Sequence, residues 1–215
     1  MKPTATTARR IRQSAASALI LLALGGCSLP LPDKPGHVQH YDLGPALPAD
    51  AGAVQPGASA LALDLVAAPA AIDGTQIIYR LAYSDGGQQP RPYAQARWSM
   101  PPPQLLAQRL RQALSARRPV VDAGAGLAPL ELHAELDEFA HVFTAPSASE
   151  GVVRLCVTAT APAARGNRLL GQRTFSARQS APTADAPGAA AALRAATDEV
   201  VQQVTAWVDE LPAPR

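Results

Sequence analysis

The chain has few aromatics: Phe, Trp and Tyr make up 4% of its 215 residues. A core built from it must rest on Leu, Val and Ala, and a base-stacking nucleic-acid surface, which needs exposed rings, is disfavoured. Cysteine occurs twice, at Cys27 and Cys156. The signatures of several chemistries are missing. There is no G-x-x-x-x-G-K-[ST] to cradle a nucleotide phosphate, no G-x-S-x-G elbow and no H-E-x-x-H. Gly124-Ala125-Gly126 lacks the third glycine of a dinucleotide fingerprint and reads as a turn. A long apolar run is missing too. The longest, residues 15–24, spans about ten residues, where a membrane crossing needs roughly 20.

Acid is absent from residues 1–26, which carry Lys2, Arg9, Arg10 and Arg12. The formal charge of +2 therefore misleads. Without those four, fifteen basic side chains face seventeen acidic ones, a balance of about −2 that points to neither nucleic acid nor an anionic membrane surface. Basic residues followed by the apolar run 15–24 form the n-region and h-region of a secretory signal. Leu24-Gly25-Gly26-Cys27 then matches a bacterial lipobox. That chemistry needs a thiol at the first mature position, because the thioether to diacylglycerol forms on sulfur. Cleavage before Cys27 frees its amine for an N-acyl chain such as palmitate, and two or more chains anchor stably where one does not. Ser28 in the next position is the residue that permits sorting to the outer membrane of a Gram-negative cell, where Asp signals retention.

The expected organisation is a cleaved signal at 1–26, a lipidated cysteine and proline-rich tether at 27–38, one periplasmic domain at 39–211 and a tail at 212–215. Pro30, Pro32 and Pro35 stiffen the tether, at about 3 Å per residue where polyproline II forms. His37 and His40 have no further ligand nearby to complete a metal site. No metal and no cofactor is expected beyond the acyl groups on Cys27.

Within the domain, residues 39–43 predict a short strand. Leu61, Leu63 and Leu65 alternate as in a half-buried strand. Residues 77–83 and 93–98 predict two strands about a turn at Ser84-Asp85-Gly86-Gly87. Three prolines at 101–103 open a helix over 104–117, with Leu106, Leu110, Ala113 and Leu114 on the apolar stripe and Arg109, Gln112 and Arg117 largely off it. Residues 129–139 predict the cleanest strand, with Leu130, Leu132, Ala134 and Leu136 on one face and Glu131, His133, Glu135 and Asp137 on the other. Residues 152–160 and 169–178 predict a hairpin, and 189–211 a second helix with Leu193, Val200, Val204 and Trp207 on a stripe. The order strands–helix–strands–helix predicts an α/β or α+β sandwich with a mixed or antiparallel sheet.

The four polar residues of 131–137 could be drawn as a metal or acid–base cluster, but alternation of this kind is what a solvated strand face requires. Arg154 is expected to pair with one of those acids across strands. Cys156 reads as a half-buried free thiol. Tyr79, Tyr83, Tyr93 and Trp98 gather about the glycine-rich turn of an aromatic-poor chain. They are candidates for an interaction surface, or they fill the gap between sheet and first helix.

Residues 77–114, IIYRLAYSDGGQQPRPYAQARWSMPPPQLLAQRLRQAL, resemble the signature of the ABC-type transport auxiliary lipoproteins, the family that includes the paraquat-inducible type C lipoprotein and was once called DUF330. A strand ending in Tyr79 or Tyr83, a glycine turn, Tyr93, Trp98, Pro102 and the Leu105, Leu106, Leu110 and Leu114 set match its pattern. Tyr41-Asp42-Leu43-Gly44-Pro45, LHAELDEF at 132–139, Arg173-Thr174-Phe175 and Ala206-Trp207-Val208 are similar to further family segments, so the resemblance covers about residues 27–211. It implies a non-enzymatic periplasmic subunit beside an ABC permease, an ATPase and an MCE-domain protein. Such systems move phospholipid or related hydrophobic molecules between inner and outer membranes. A homo-oligomer is in keeping with the ring-like habit of MCE proteins. The competing class is an outer-membrane or cell-wall assembly lipoprotein unrelated to ABC transport. Because the tether lies outside the core, a Cys27→Ala form lacking the signal is expected to fold and stay soluble. Circular dichroism and gel filtration check this, and a misfolded product would refute the separation of anchor from domain.

Overall fold

The computed structural model describes residues 36–45, 58–124, 126–164 and 166–212. The signal, Cys27, Ser28 and the tether prolines lie outside them. The chain divides into Met1–His37 and Val38–Arg215, and only the second unit is treated below. Its elements are β1 (Gln39–Tyr41), β2 (Leu61–Leu63), β3 (Gln76–Leu81), β4 (Arg91–Trp98), α1 (Pro102–Ser115), β5 (Val120–Asp122), β6 (Leu130–Ala145), β7 (Ala148–Ala163), β8 (Gly166–Ser180) and α2 (Ala186–Glu210). All eight strands form one mixed sheet, in the expected order of strands, helix, strands, helix.

β6 organises that sheet, because both of its edges are used. One edge pairs antiparallel with β7, which pairs in turn with β8. The other edge is shared. β2 runs parallel to residues Leu130–Leu132, and β3 runs parallel to His141–Phe143. Between them Ala67 bridges the gap, donating to Ala134 and accepting from Leu136. β5 extends the sheet beyond β2, and β4 and then β1 extend it beyond β3.

The helix-bearing face carries Leu130, Leu132, Ala134, Leu136 and Phe139 of β6, Val153, Leu155, Val157 and Ala159 of β7, and Phe175 and Ala177 of β8. The register slips between Leu136 and Glu138, so the inward set changes from even to odd numbers. α1 starts with Pro102 and Pro103 in its first turn, where their missing N–H groups would have had no partner. It buries Leu105, Leu106, Leu110 and Leu114. α2 is capped by Asp185, whose carboxylate accepts from the Gly188 N–H at 2.9 Å.

α2 lies close to the sheet because both surfaces are pared back. Its first half presents Ala189, Ala192, Leu193 and Ala196. Beneath it β7 carries Gly151. A Cβ there would stand 2.5 Å from the Leu193 nitrogen and 2.6 Å from the Ala192 carbonyl carbon. Farther along, Trp207 packs edge-on to Phe175 at 5.6 Å between ring centroids and covers Gly171.

Several expectations are revised. β2 stops at Leu63 and buries all three of its residues, while Leu65 is 86% exposed. β5 is a strand that no alternation announced. β6 and β7 run to 16 residues each, well past the predicted ends. Residues 139–143 are buried without a break, and a stretch buried on both sides carries no period of two. Arg109, expected off the buried stripe, is 3% exposed. Gly151→Ala is expected to lower stability by about 2–3 kcal/mol, because the added methyl meets helix backbone that cannot rotate away. Urea unfolding measures it, and a loss below about 0.5 kcal/mol would show that α2 can lift off the sheet.

Candidate functional site

Two polar nodes lie within the described core, and each is assembled from distant parts of the chain. The first gathers around His141 of β6. Parallel pairing of β3 sets Tyr79 beside His141, and β4 brings Tyr93 next to both. The Tyr93 hydroxyl is 2.8 Å from His141 Nδ1. Tyr79 and Tyr93 rings lie 4.8 Å apart, and Phe143 closes the group 4.6 Å from the imidazole and 5.8 Å from Tyr79. His141 is fully buried, and its Nε2 has no partner among the described residues. Burial holds its pKa down to about 4, and the negative charge of Asp185 at the start of α2 only partly opposes this. Burial, then Asp185 and Tyr79, push the Tyr93 hydroxyl well above its ordinary value. Both groups are neutral at pH 7. The pair is a packed polar contact.

The second node is Arg109 of α1. Its guanidinium donates to the Pro45 carbonyl at 2.7 Å and to the Leu43 carbonyl, and its Nε stands 2.9 Å from the Asp198 carboxylate of α2. Burial raises the Asp198 pKa, while Arg109 and Arg194 pull against it. Arg194 lies 3.8 Å from the same carboxylate and packs over Gly44. There it borders an open cleft of about 320 Å³ with His40, Tyr41, Asp42, Gly44 and Pro187.

The four aromatic candidates separate. Trp98 is 1% exposed and packs edge-on to Phe139 at 5.5 Å, which makes it a core residue and not a surface one. Tyr79 and Tyr93 are half-buried in the His141 group, and only Tyr83 is exposed, at 46%. Cys27 and Ser28 fall outside the described residues. On the far side of the sheet Glu135 and Asp137 are exposed. His133 Nδ1 lies 3.0 Å from Asp64, and Glu131 accepts from Asn167 at 3.4 Å. Arg154 pairs with Glu138 at 3.2 Å and not with Glu131, Glu135 or Asp137, because the slip after Leu136 sets Glu138 opposite it. Cys156 is a half-buried free thiol opposite Glu135 and Thr174. No group of three or more metal-ligating side chains occurs among the described residues, and no described helix is long and apolar enough to cross a membrane.

Sequence reading missed His141 and Arg109. His141 sits in the run that lacks alternation. Arg109 had a signal: it lies four residues after Leu105 and three after Leu106, squarely on the buried stripe.

A family model described as the ABC-type transport auxiliary lipoprotein component matches residues 41–205. No curated protein matches the chain. Among solved structures, protein XCC0632 from Xanthomonas campestris, of the DUF330 family, is 18% identical with a TM-score of 0.67, over 79% of this chain and 94% of that one. An uncharacterized protein is 14% identical with a TM-score of 0.62, over 80% and 99%. The hypothetical protein CT253 from Chlamydia trachomatis is 10% identical with a TM-score of 0.51, over 71% and 96%. At these identities the likeness is one of fold.

The His141 pKa gives a signed pH dependence. An unfolded chain binds the proton near the ordinary value of 6.5, and the folded one only near 4. Between those values the unfolded state holds more protons, so stability falls as pH drops from about 6.5 to about 4, by up to about 3 kcal/mol. Urea unfolding at a series of pH values measures the slope. If His141→Gln shows the same slope, the assignment fails.

Proposed function

The chain belongs to the ABC-type transport auxiliary lipoprotein family, and from that membership we propose that it is an outer-membrane-anchored, non-catalytic subunit of an MCE-type transport system. It is held at the periplasmic face by diacylglycerol and an N-acyl chain on Cys27, with Ser28 permitting outer-membrane sorting. Its system moves phospholipid or related hydrophobic molecules between the two membranes. The subunit docks the periplasmic MCE assembly, and nucleotide hydrolysis belongs to a separate ATPase.

The match over residues 41–205 carries this reading, since it takes in nearly the whole described domain. The lipobox, which stands outside the match, supports the anchor independently. The polar groups support a scaffolding role. Arg109 ties chain segments together, His141 is neutral and enclosed, and Arg154 and His133 are engaged with acids on the sheet surface.

Affinity purification of the intact lipoprotein from detergent-solubilised envelopes is expected to recover an MCE-domain protein. Recovery of an outer-membrane β-barrel or a peptidoglycan synthase in its place would assign the chain to envelope assembly. Repeated absence of any MCE protein, with other envelope complexes retained, would reject the proposal.

A further inference from the structure

The sheet ends unequally. β1 and β5, at the far margins, are three residues each and present little backbone. β8 has 15 residues and, among the described ones, bonds along one edge only, to β7. From Gly171 to Ser180 its register with β7 is unbroken, and its one irregularity lies near Leu170. Residues 171–180 therefore hold a regular row of outward N–H and C=O groups. α2 covers one face of this strand through Trp207 but adds no backbone pairing to its edge. Natural sheets shorten, bulge or charge such an edge, because it is a template for another strand.

β8 has been charged with one sign. It carries Arg168, Arg173 and Arg178, with no acid and no proline. Arg178 pairs with Glu150, and the Arg173 guanidinium lies over the Phe175 ring at 5.3 Å. Among the described residues no carboxylate forms an ion pair with Arg168 or Arg173. Two copies joined edge to edge would bring two acid-free, arginine-bearing strands together, and like charges across a strand pair repel. An extended segment rich in Asp and Glu meets no such barrier. It completes the ladder and brings carboxylates to Arg173 within the stretch and to Arg168 just beyond its end, in the strand-addition mode of peptide recognition.

We propose that the free edge of β8, residues 171–180, binds an extended acidic segment of a partner protein by strand addition. This proposal does not depend on which transport system the chain serves. Its test uses the full lipoprotein in detergent and two short synthetic peptides, one of alternating valine and glutamate and one of alternating valine and lysine. Amide hydrogen exchange is followed by mass spectrometry. The glutamate peptide is expected to slow exchange across 171–180 by about tenfold, and the lysine peptide to leave it unchanged. In Arg168→Glu/Arg173→Glu the preference is expected to reverse. Arg173→Gln, a milder change, is expected to weaken the glutamate peptide alone. Exchange of β6 amides confirms that each variant is folded. Equal protection by both peptides, or none by the glutamate peptide, overturns the proposal. So does protection of β8 that rises with protein concentration without peptide, since a second copy would then be the occupant.

Discussion

Arg109 joins three parts of the chain that no strand pairing joins. It leaves α1 among leucines, turns its guanidinium to the carbonyls of Leu43 and Pro45, and faces Asp198 on α2. The two carbonyls follow β1, where the backbone has left the sheet and has no ladder partner. Leu43 is buried, and a buried carbonyl without a donor costs about 1–3 kcal/mol, so the guanidinium offsets a penalty that the fold itself creates there. A buried arginine in turn demands a carboxylate, and Asp198 supplies it. Arg194 adds a second positive charge from the preceding turn of α2. The angle between the helices, the exit of the chain from β1 and the ionisation of Asp198 are thus set together.

Gly151 acts by the opposite means. Arg109 fills a gap between elements, while Gly151 removes an obstacle between β7 and α2. The alanines of α2 and this glycine bring helix backbone onto sheet backbone, and the aromatics work at the margins of that contact. Trp207 and Phe175 close one end.

Where one face of an element meets water, the sequence shows it. Leu130 to Leu136 alternates with polar residues, and α2 carries its stripe from Leu193 to Val204, so the order of elements and the fold class could be read directly. Legibility failed where both faces are covered. β2 is buried at all three positions and ends at Leu63, so Leu65 is not part of it. His141 lies inside an unbroken buried run. Trp98, grouped with surface candidates on its neighbourhood in sequence, is core because β4 runs from the turn into the main apolar cluster. Arg109 is the instructive case. Its spacing placed it on the buried stripe, and its charge argued against that position. The deciding fact, carbonyls left bare by β1, is visible only in three dimensions.

The double use of β6 has a temporal side. A polypeptide emerges N-terminus first, whether from a ribosome or through a membrane pore. β2 and β3 cannot take their places until the strand they share, 130–145, has followed them out, and β4, β1 and β5 depend on those two in turn. β3 and β4 are neighbours in sequence and can pair early, carrying β1 with them, but this ribbon and β2 reach their places in the sheet only when β6 is present. The β6–β7–β8 meander pairs neighbours in sequence and can form as soon as it appears. The first-half ribbon and the β6–β7–β8 meander are thus joined only along β6, and the sheet is complete only when that late strand is in place.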